Sequence, residues 1–165
     1  MLNLAILIAA AAAAATPAPQ QKSVCDGPQY HQLDFWIGEW NVFQASDNTK
    51  VGTSRIESVM DGCGIGEHFE APDAPGGAYS GTSYSGYDRK DGKWHQMYID
   101  TNGNVTGFAG DLDGSDLVMD APANGAITRM VYRRLTDGSV EQIGTVSANF
   151  GRKWAPRYDY IYRKK

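Results

Sequence analysis

Residues 91–138 read DGKWHQMYIDTNGNVTGFAGDLDGSDLVMDAPANGAITRMVYRRLTDG. Five Asx-Gly steps mark the stretch: Asp91-Gly92, Asn102-Gly103, Asp113-Gly114, Asn124-Gly125 and Asp137-Gly138, the first four spaced by eleven residues. Asx-Gly supplies the positive φ angles of a two-residue hairpin turn, so each step predicts a chain reversal. Eleven residues hold one strand of roughly six to nine residues and its turn. The runs between the turns are rich in β-branched and aromatic residues: Lys93–Asp100, Val105–Ala109, Leu117–Asp120, Ile127–Leu135 and Val140–Ser147. Upstream of Asp91, Trp36–Ala45, Gly52–Met60, Gly64–Glu70 and Tyr79–Asp88 have the same character, with Asp61-Gly62 as a further turn, and Trp154–Arg163 closes the series.

About ten strands in sequential order predict an all-β fold. A sandwich of that size leaves four edges to protect, whereas an antiparallel up-and-down β-barrel removes them, and hairpins all along the chain favour the barrel. Two stretches break the rhythm. Pro28–Phe35 predicts a short helix plugging one end, and the Pro/Gly-rich Ala71–Ala78 predicts a loop at a mouth. No linker divides the chain, so the expected organisation is a leader over 1–15, an N-terminal segment over 16–32 and one barrel domain over 33–165.

Composition agrees. Beyond residue 15 the chain keeps four leucines against 19 glycines, which excludes a leucine-striped helical bundle. Met1–Ala15 is apolar except for Asn3, carries no charge and ends in an alanine run. That is the pattern of a secretory signal cut near Thr16, or as late as Ala18, and it predicts a periplasmic or secreted protein. No later segment approaches the ~20 apolar residues of a membrane span, so no stable membrane anchor is expected after processing. In an oxidising compartment Cys25 and Cys63 predict a disulfide, worth roughly 4 kcal/mol in the chain-entropy model. A net charge of −4 argues against nucleic acid as the main partner. Charge is also lopsided: residues 1–120 hold six Lys/Arg against sixteen Asp/Glu, and residues 121–165 nine against three. Basic late strands are therefore expected beside acidic ones.

The first strand opens Leu33-Asp34-Phe35-Trp36-Ile37-Gly38-Glu39-Trp40-Asn41-Val42. Gly38-x-Trp40 at the entry to strand one resembles the signature of lipocalins and fatty-acid-binding proteins, the calycin group. That resemblance implies that Trp40 closes the barrel floor, with Trp36 and Gly38 architectural, and that a basic residue of the last strand, Arg163, packs over the Trp40 ring by cation–π contact. The longer run from His31 to Trp40 resembles the opening of a family of small exported bacterial proteins of unknown function. Gly62-Cys63-x-Ile65-x-Glu67, Trp94-x-Gln96-x-x-x-Asp100 and the terminal Tyr162-Arg163 match the same family, whose usual Phe is Leu33 here. The resemblance implies a calycin-like barrel outside the cytoplasm and no particular reaction.

Enzyme and cofactor signatures are sparse. Gly81-Thr82-Ser83-Tyr84-Ser85-Gly86 is not Gly-x-Ser-x-Gly and sits in strand sequence. Asp111-x-Asp113-Gly114-x-Asp116 lacks the closing glutamate of a calcium loop and reads as a solvated hairpin turn. His31, His68 and His95 show no ligand spacing, and no histidine follows residue 95 to hold a haem as nitrobindin-like calycins do. No metal and no cofactor is expected. Strand alternation instead directs polar side chains inward. Ile65-Glu67-Phe69, Trp94-Gln96-Tyr98-Asp100, Ile127-Arg129-Val131 and Val140-Gln142-Gly144-Val146 are the expected inward sets. His95-Met97-Ile99 competes on the fifth strand, where the family match favours the first set, and Thr128-Met130-Tyr132 competes on the eighth.

These sets predict a cavity lined by Glu67, Gln96, Tyr98, Asp100, Arg129 and Gln142. The expected function is a binding barrel for a small, partly apolar molecule whose acidic head Arg129 would anchor. The alternatives are a cofactor-independent isomerase, cyclase or lyase, with Glu67 or Asp100 as base and Tyr98 or Arg129 as electrophilic partner, and a ligand-free structural barrel. The sequence specifies neither the ligand nor the oligomeric state. N-terminal sequencing of protein exported by its own host is expected to begin near Thr16; a chain still starting at Met1 would refute the leader.

Overall fold

A computed structural model describes residues 23–165; the expected leader and the first part of the 16–32 segment lie outside the described residues. Ten antiparallel strands follow one another: β1 (Gly38–Gln44), β2 (Lys50–Val59), β3 (Gly64–Ala71), β4 (Tyr79–Asp88), β5 (Lys93–Asp100), β6 (Val105–Asp113), β7 (Asp116–Ala123), β8 (Ala126–Arg134), β9 (Val140–Ser147) and β10 (Ala155–Lys164). Each pairs with its sequence neighbours, and β1 pairs with β10, so the sheet is a closed up-and-down barrel. Among the described residues no helix is long and apolar enough to cross a membrane.

The turns differ in detail from the expected two-residue form. From β4 to β9 only Asn124-Gly125 has both residues at positive φ, 50° and 79°. At Asp100–Gly103 and Leu135–Gly138 the glycine amide donates back to the first carbonyl at 3.0 and 3.1 Å, and only the glycine is left-handed. The aspartate chemistry explains the difference. Asp137 Oδ1 accepts the Ser139 amide at 2.9 Å and Asp91 Oδ1 accepts the Lys93 amide at 3.1 Å. Such Asx bonds stabilise a wider turn without forcing the Asx residue itself to positive φ.

At the end where β1 begins, two 3₁₀ turns, Pro28–His31 and Asp34–Trp36, replace the expected short helix. They are fastened from three sides. Trp94 Nε1 donates to Gln32 Oε1 at 2.7 Å, Trp40 Nε1 donates to the Trp36 carbonyl at 2.8 Å, and the Cys25–Cys63 disulfide ties the preceding segment to the turn after β2. Trp36, Trp40, Trp94, Leu117 and Val140 form this floor, each 0–1% exposed.

Arg163 does not cover Trp40. Strand alternation turns Tyr162 and Lys164 inward, and Lys164 Nζ stands 5.1 Å from the Trp40 ring centroid and donates to the Ile37 carbonyl at 3.4 Å. Arg163 points outward, 4.7 Å over Phe43. A cation does cap the floor tryptophan, but from the next residue, because a step of one residue in a strand reverses the face.

Trp40→Ala is expected to destabilise the protein by ~3–5 kcal/mol, as truncation of buried aromatics does, and Lys164→Ala by clearly less. Thermal melts of the two variants check this; a Trp40→Ala melt at the wild-type temperature would contradict the floor assignment.

Candidate functional site

The alternation of buried and exposed positions sends Glu67, Phe69 and Ile65 of β3 inward, together with Trp94, Gln96, Tyr98 and Asp100 of β5 and Gln142 of β9. On β8 the inward set is Thr128-Met130-Tyr132, and the expected Arg129 is not in the lumen. Its side chain is 37% exposed and forms a bidentate pair with Asp120 on β7, both bonds 2.8 Å. Trp154 stacks on the guanidinium with the ring centroid 4.4 Å away. Arg129 and Asp120 are directly opposite in the β7–β8 ladder, and a forked carboxylate pair on the outer face outweighs burying an arginine. Arg133 repeats the arrangement with Asp116 and Glu141, so the late basic residues do lie beside acidic ones.

Above the floor a chain of hydrogen bonds crosses the lumen. Ser54 Oγ donates to Glu67 Oε1 at 2.7 Å, and Tyr162 donates to Gln142 Oε1 at 2.9 Å while lying 3.4 Å from Glu67 Oε1. Gln142 Nε2 and Gln96 Nε2 donate to the Tyr132 hydroxyl at 3.2 and 3.1 Å, and Gln96 Nε2 also donates to Ser85 Oγ at 2.9 Å. Seven strands thus contribute to one polar plate. The plate satisfies most of the polar groups that closure buries, which is the condition for keeping them there.

Beyond the plate Phe69 and Phe108 are each 8% exposed, against 0–1% on the floor, and Tyr79, Tyr98, Tyr158 and Tyr160 at the far end are half-buried. Two tyrosine side chains occupy the space over glycines: a Cβ on Gly144 would stand 2.3 Å from the Tyr158 ring, and one on Gly81 would meet the Tyr98 ring and hydroxyl. Tyr160 stacks on Tyr158 at 5.1 Å with 13° between the planes. Tyr79 and Tyr98 share a 2.7 Å hydroxyl–hydroxyl bond.

Electrostatics separates the expected acid–base candidates. Burial raises the Glu67 carboxyl from 4.5 to about 7 against the lowering effect of the Ser54 and Tyr162 hydrogen bonds. Burial likewise holds Tyr98 well above the ordinary phenol value, with the Tyr79 bond adding to it. Asp100 sits at the rim. Desolvation there pushes its carboxyl up, but hydrogen bonds from the Asn104 side chain and amide, the Asn102 amide and Tyr79 outweigh it and hold the group below its usual value. Asp100 braces a turn and is not a base poised in a cavity.

The histidines do not converge. His31 bonds Asp34, His68 bonds Thr82 and Glu70, and His95 bonds Asp91, all toward the outside. Asp88, Asp91 and His95 bring exposed ligand atoms within 4.8 Å of one another, a cluster that sequence spacing did not disclose. Its bonds are those of the β4–β5 turn, with Asp88 Oδ1 accepting the Lys90 amide at 2.8 Å. Two hollows, of about 360 and 410 Å³, lie on the outer face, one beside the disulfide and one over β5 and β6. Sequence reasoning overlooked Ser54, Ser85, Tyr158, Tyr160 and Tyr162, and named Tyr132 only in the competing set of the eighth strand. The signal was present in Tyr158-x-Tyr160-x-Tyr162, whose period of two aligns three phenols on one face. The chain matches no family model and no curated protein.

Glu67 binds its proton more tightly in the folded state than in the unfolded one. Its contribution to stability is full below pH 4.5 and is lost as pH rises toward about 7, a change on the order of 3 kcal/mol. Glu67→Gln is expected to remove that slope. Urea unfolding at pH 5 and pH 8 checks it; parallel losses in wild type and variant would refute a buried carboxyl.

Proposed function

We propose that the chain is an exported binding barrel of calycin type, which holds a small, partly apolar molecule in the open half of its lumen. The exposure gradient carries this reading: the floor is sealed, the plate is nearly so, and the far end is an aromatic mouth reachable from solvent. Phe69, Phe108 and the tyrosine faces offer apolar surface, and hydroxyls and amides of the plate offer a few directional partners, which is the usual balance of a small-molecule site. The Cys25–Cys63 disulfide supports export, because such bonds persist in oxidising compartments. The likeness to the Asp-Phe-Trp-Ile-Gly-Glu-Trp family belongs to the same proposal. An acidic head has lost its anchor with Arg129 on the outer surface.

One observation favours a second reading, proton-transfer catalysis. A buried carboxyl at about 7 among neutral phenols has the proton affinity of a general base or acid working near neutrality. Glu67 and Tyr98 would be its components, and Asp100 would have no part.

Native mass spectrometry of protein purified from its own host tests both. A small-molecule adduct lost on unfolding and recovered chemically unchanged from the wild type is the result expected of a binding barrel. An adduct that wild type converts and Glu67→Gln retains unconverted would establish the catalytic reading instead. A bare mass from the host, with no small molecule retained at any stage of purification, would leave the plate as a brace and the barrel as structural.

A further inference from the structure

The hydrogen bonding of Glu67 is lopsided. Among the described residues both bonds to this carboxyl reach Oε1, from Ser54 at 2.7 Å and from Tyr162 at 3.4 Å, and the Tyr162 proton is shared with Gln142. A glutamine carbonyl would accept the same bonds and avoid the cost of burying an ionisable group. The plate therefore does not need a carboxylate. What a glutamate adds at this depth is a negative charge and an oxygen, Oε2, that no neighbouring side chain engages.

The surroundings of that charge are one-sided. From the plate to the mouth the inward positions include Ser83, Phe69, Phe108, Met130, Tyr98 and Tyr158, and none is Lys or Arg; Lys164 belongs to the floor. Arg157 lies at the rim, where its guanidinium donates to the Thr128 hydroxyl at 3.3 Å. Asp100 adds a second carboxylate at the same rim. The Tyr98 side chain lies over Gly81 and the Tyr158 ring over Gly144, and Tyr160 stacks on Tyr158, so aromatic rings and phenol oxygens line this end of the lumen. Negative ring faces beside a carboxylate attract a desolvated cation and repel an anion.

We infer that the lumen is a site for an organic cation, a small molecule whose ammonium group sits among the tyrosine faces against Glu67 while its apolar part lies on Phe69 and Phe108. This deepens the binding reading and rests on it. It replaces the acidic head expected from the sequence with the opposite charge. Binding and proton loss are linked: an ammonium recruits ionised Glu67, so affinity rises as pH passes through the range in which that carboxyl titrates. The other titratable groups facing it are the phenols of Tyr98 on β5, Tyr132 on β8 and Tyr158 and Tyr162 on β10, all held above the ordinary phenol value by burial first. On β2 and β4 its ladder partners are Ile56 and Ser83, with Ser54 bonded to it, and none of the three titrates. His68, the next residue, points outward to Thr82 and Glu70.

Calorimetric titration of the mature chain with three phenyl probes of matched size tests this: 2-phenylethylammonium, 2-phenylethanol and 3-phenylpropionate. At pH 8 the ammonium is expected to bind at least about tenfold more tightly than the alcohol, with the carboxylate weakest, as one charge contact in a dry site provides. Its affinity should fall about tenfold or more from pH 8 to pH 5.5, while the alcohol stays level. Glu67→Gln should abolish both the preference and the pH slope, and His68→Gln should change neither. Equal binding of ammonium and alcohol, or a preference for the carboxylate, overturns the cation inference and leaves a binding barrel standing. No binding of any probe by folded protein at pH 8 overturns the inference and the binding reading together. The wild-type pH profile and the probe comparison decide the matter even if Glu67→Gln fails to fold.

Discussion

Five residue pairs, from Trp40 opposite Lys164 to Gln44 opposite Tyr160, join the first strand to the last. That ladder closes a loop of more than 100 residues, so its entropy cost is met only once the hairpins between have formed. With it, neither β1 nor β10 presents an unpaired edge. Further contacts gather at the same seam: Lys164 Nζ reaches the Ile37 carbonyl, and the Lys165 amide donates to the Glu39 carbonyl at 3.0 Å. Closure also brings Tyr162 to Glu67, 95 residues apart, and so creates the interior in which the polar plate exists.

The interior is divided by chemistry. Tryptophans and aliphatics fill the floor; the Trp94 and Trp40 indole N–H groups bond Gln32 and the Trp36 carbonyl, while the buried Trp36 indole N–H has no hydrogen-bond partner among the described residues. The plate next to it is polar and bonded across seven strands, which fixes the ring positions of Tyr132 and Tyr162 against Trp36, with centroids 4.4 and 5.8 Å away. The mouth is different again, because glycines on β4 and β9 let two tyrosine rings lie along the wall where larger residues would push them into the lumen. One small residue on one strand thus decides the width available to a ligand several residues away in sequence.

Arg129 and Arg163 show where alternation alone is too weak. On β8 the two parity sets carry similar apolar content, and the tie is broken by Asp120, a residue of the neighbouring strand that sits opposite Arg129 on the outer face. Only the ladder register reveals that pairing. At the end of β10 the basic residues Arg163, Lys164 and Lys165 are consecutive, and which of them reaches over Trp40 depends on the pairing of β10 with β1. Glu67 was legible because it lies between the apolar inward neighbours Ile65 and Phe69, whereas on β5 the set His95-Met97-Ile99 competed with Trp94-Gln96-Tyr98-Asp100 and alternation alone did not decide.

By itself the sequence determined the strands, their meander order, the closed barrel and the Cys25–Cys63 link, because turn chemistry and alternation act over a few residues and survive without a partner strand. It also determined that polar groups from β3 and β9 face inward, while the faces of β5 and β8 were decided by the folded barrel. Only the tertiary structure decided that the lumen lacks its expected arginine, that Lys164 caps Trp40, and that Tyr98, Tyr158 and Tyr160 gather at one mouth above Glu67. Those outcomes depend on register and shear around a closed ring, where residues many strands apart become neighbours and local periodicity carries no record of the distance.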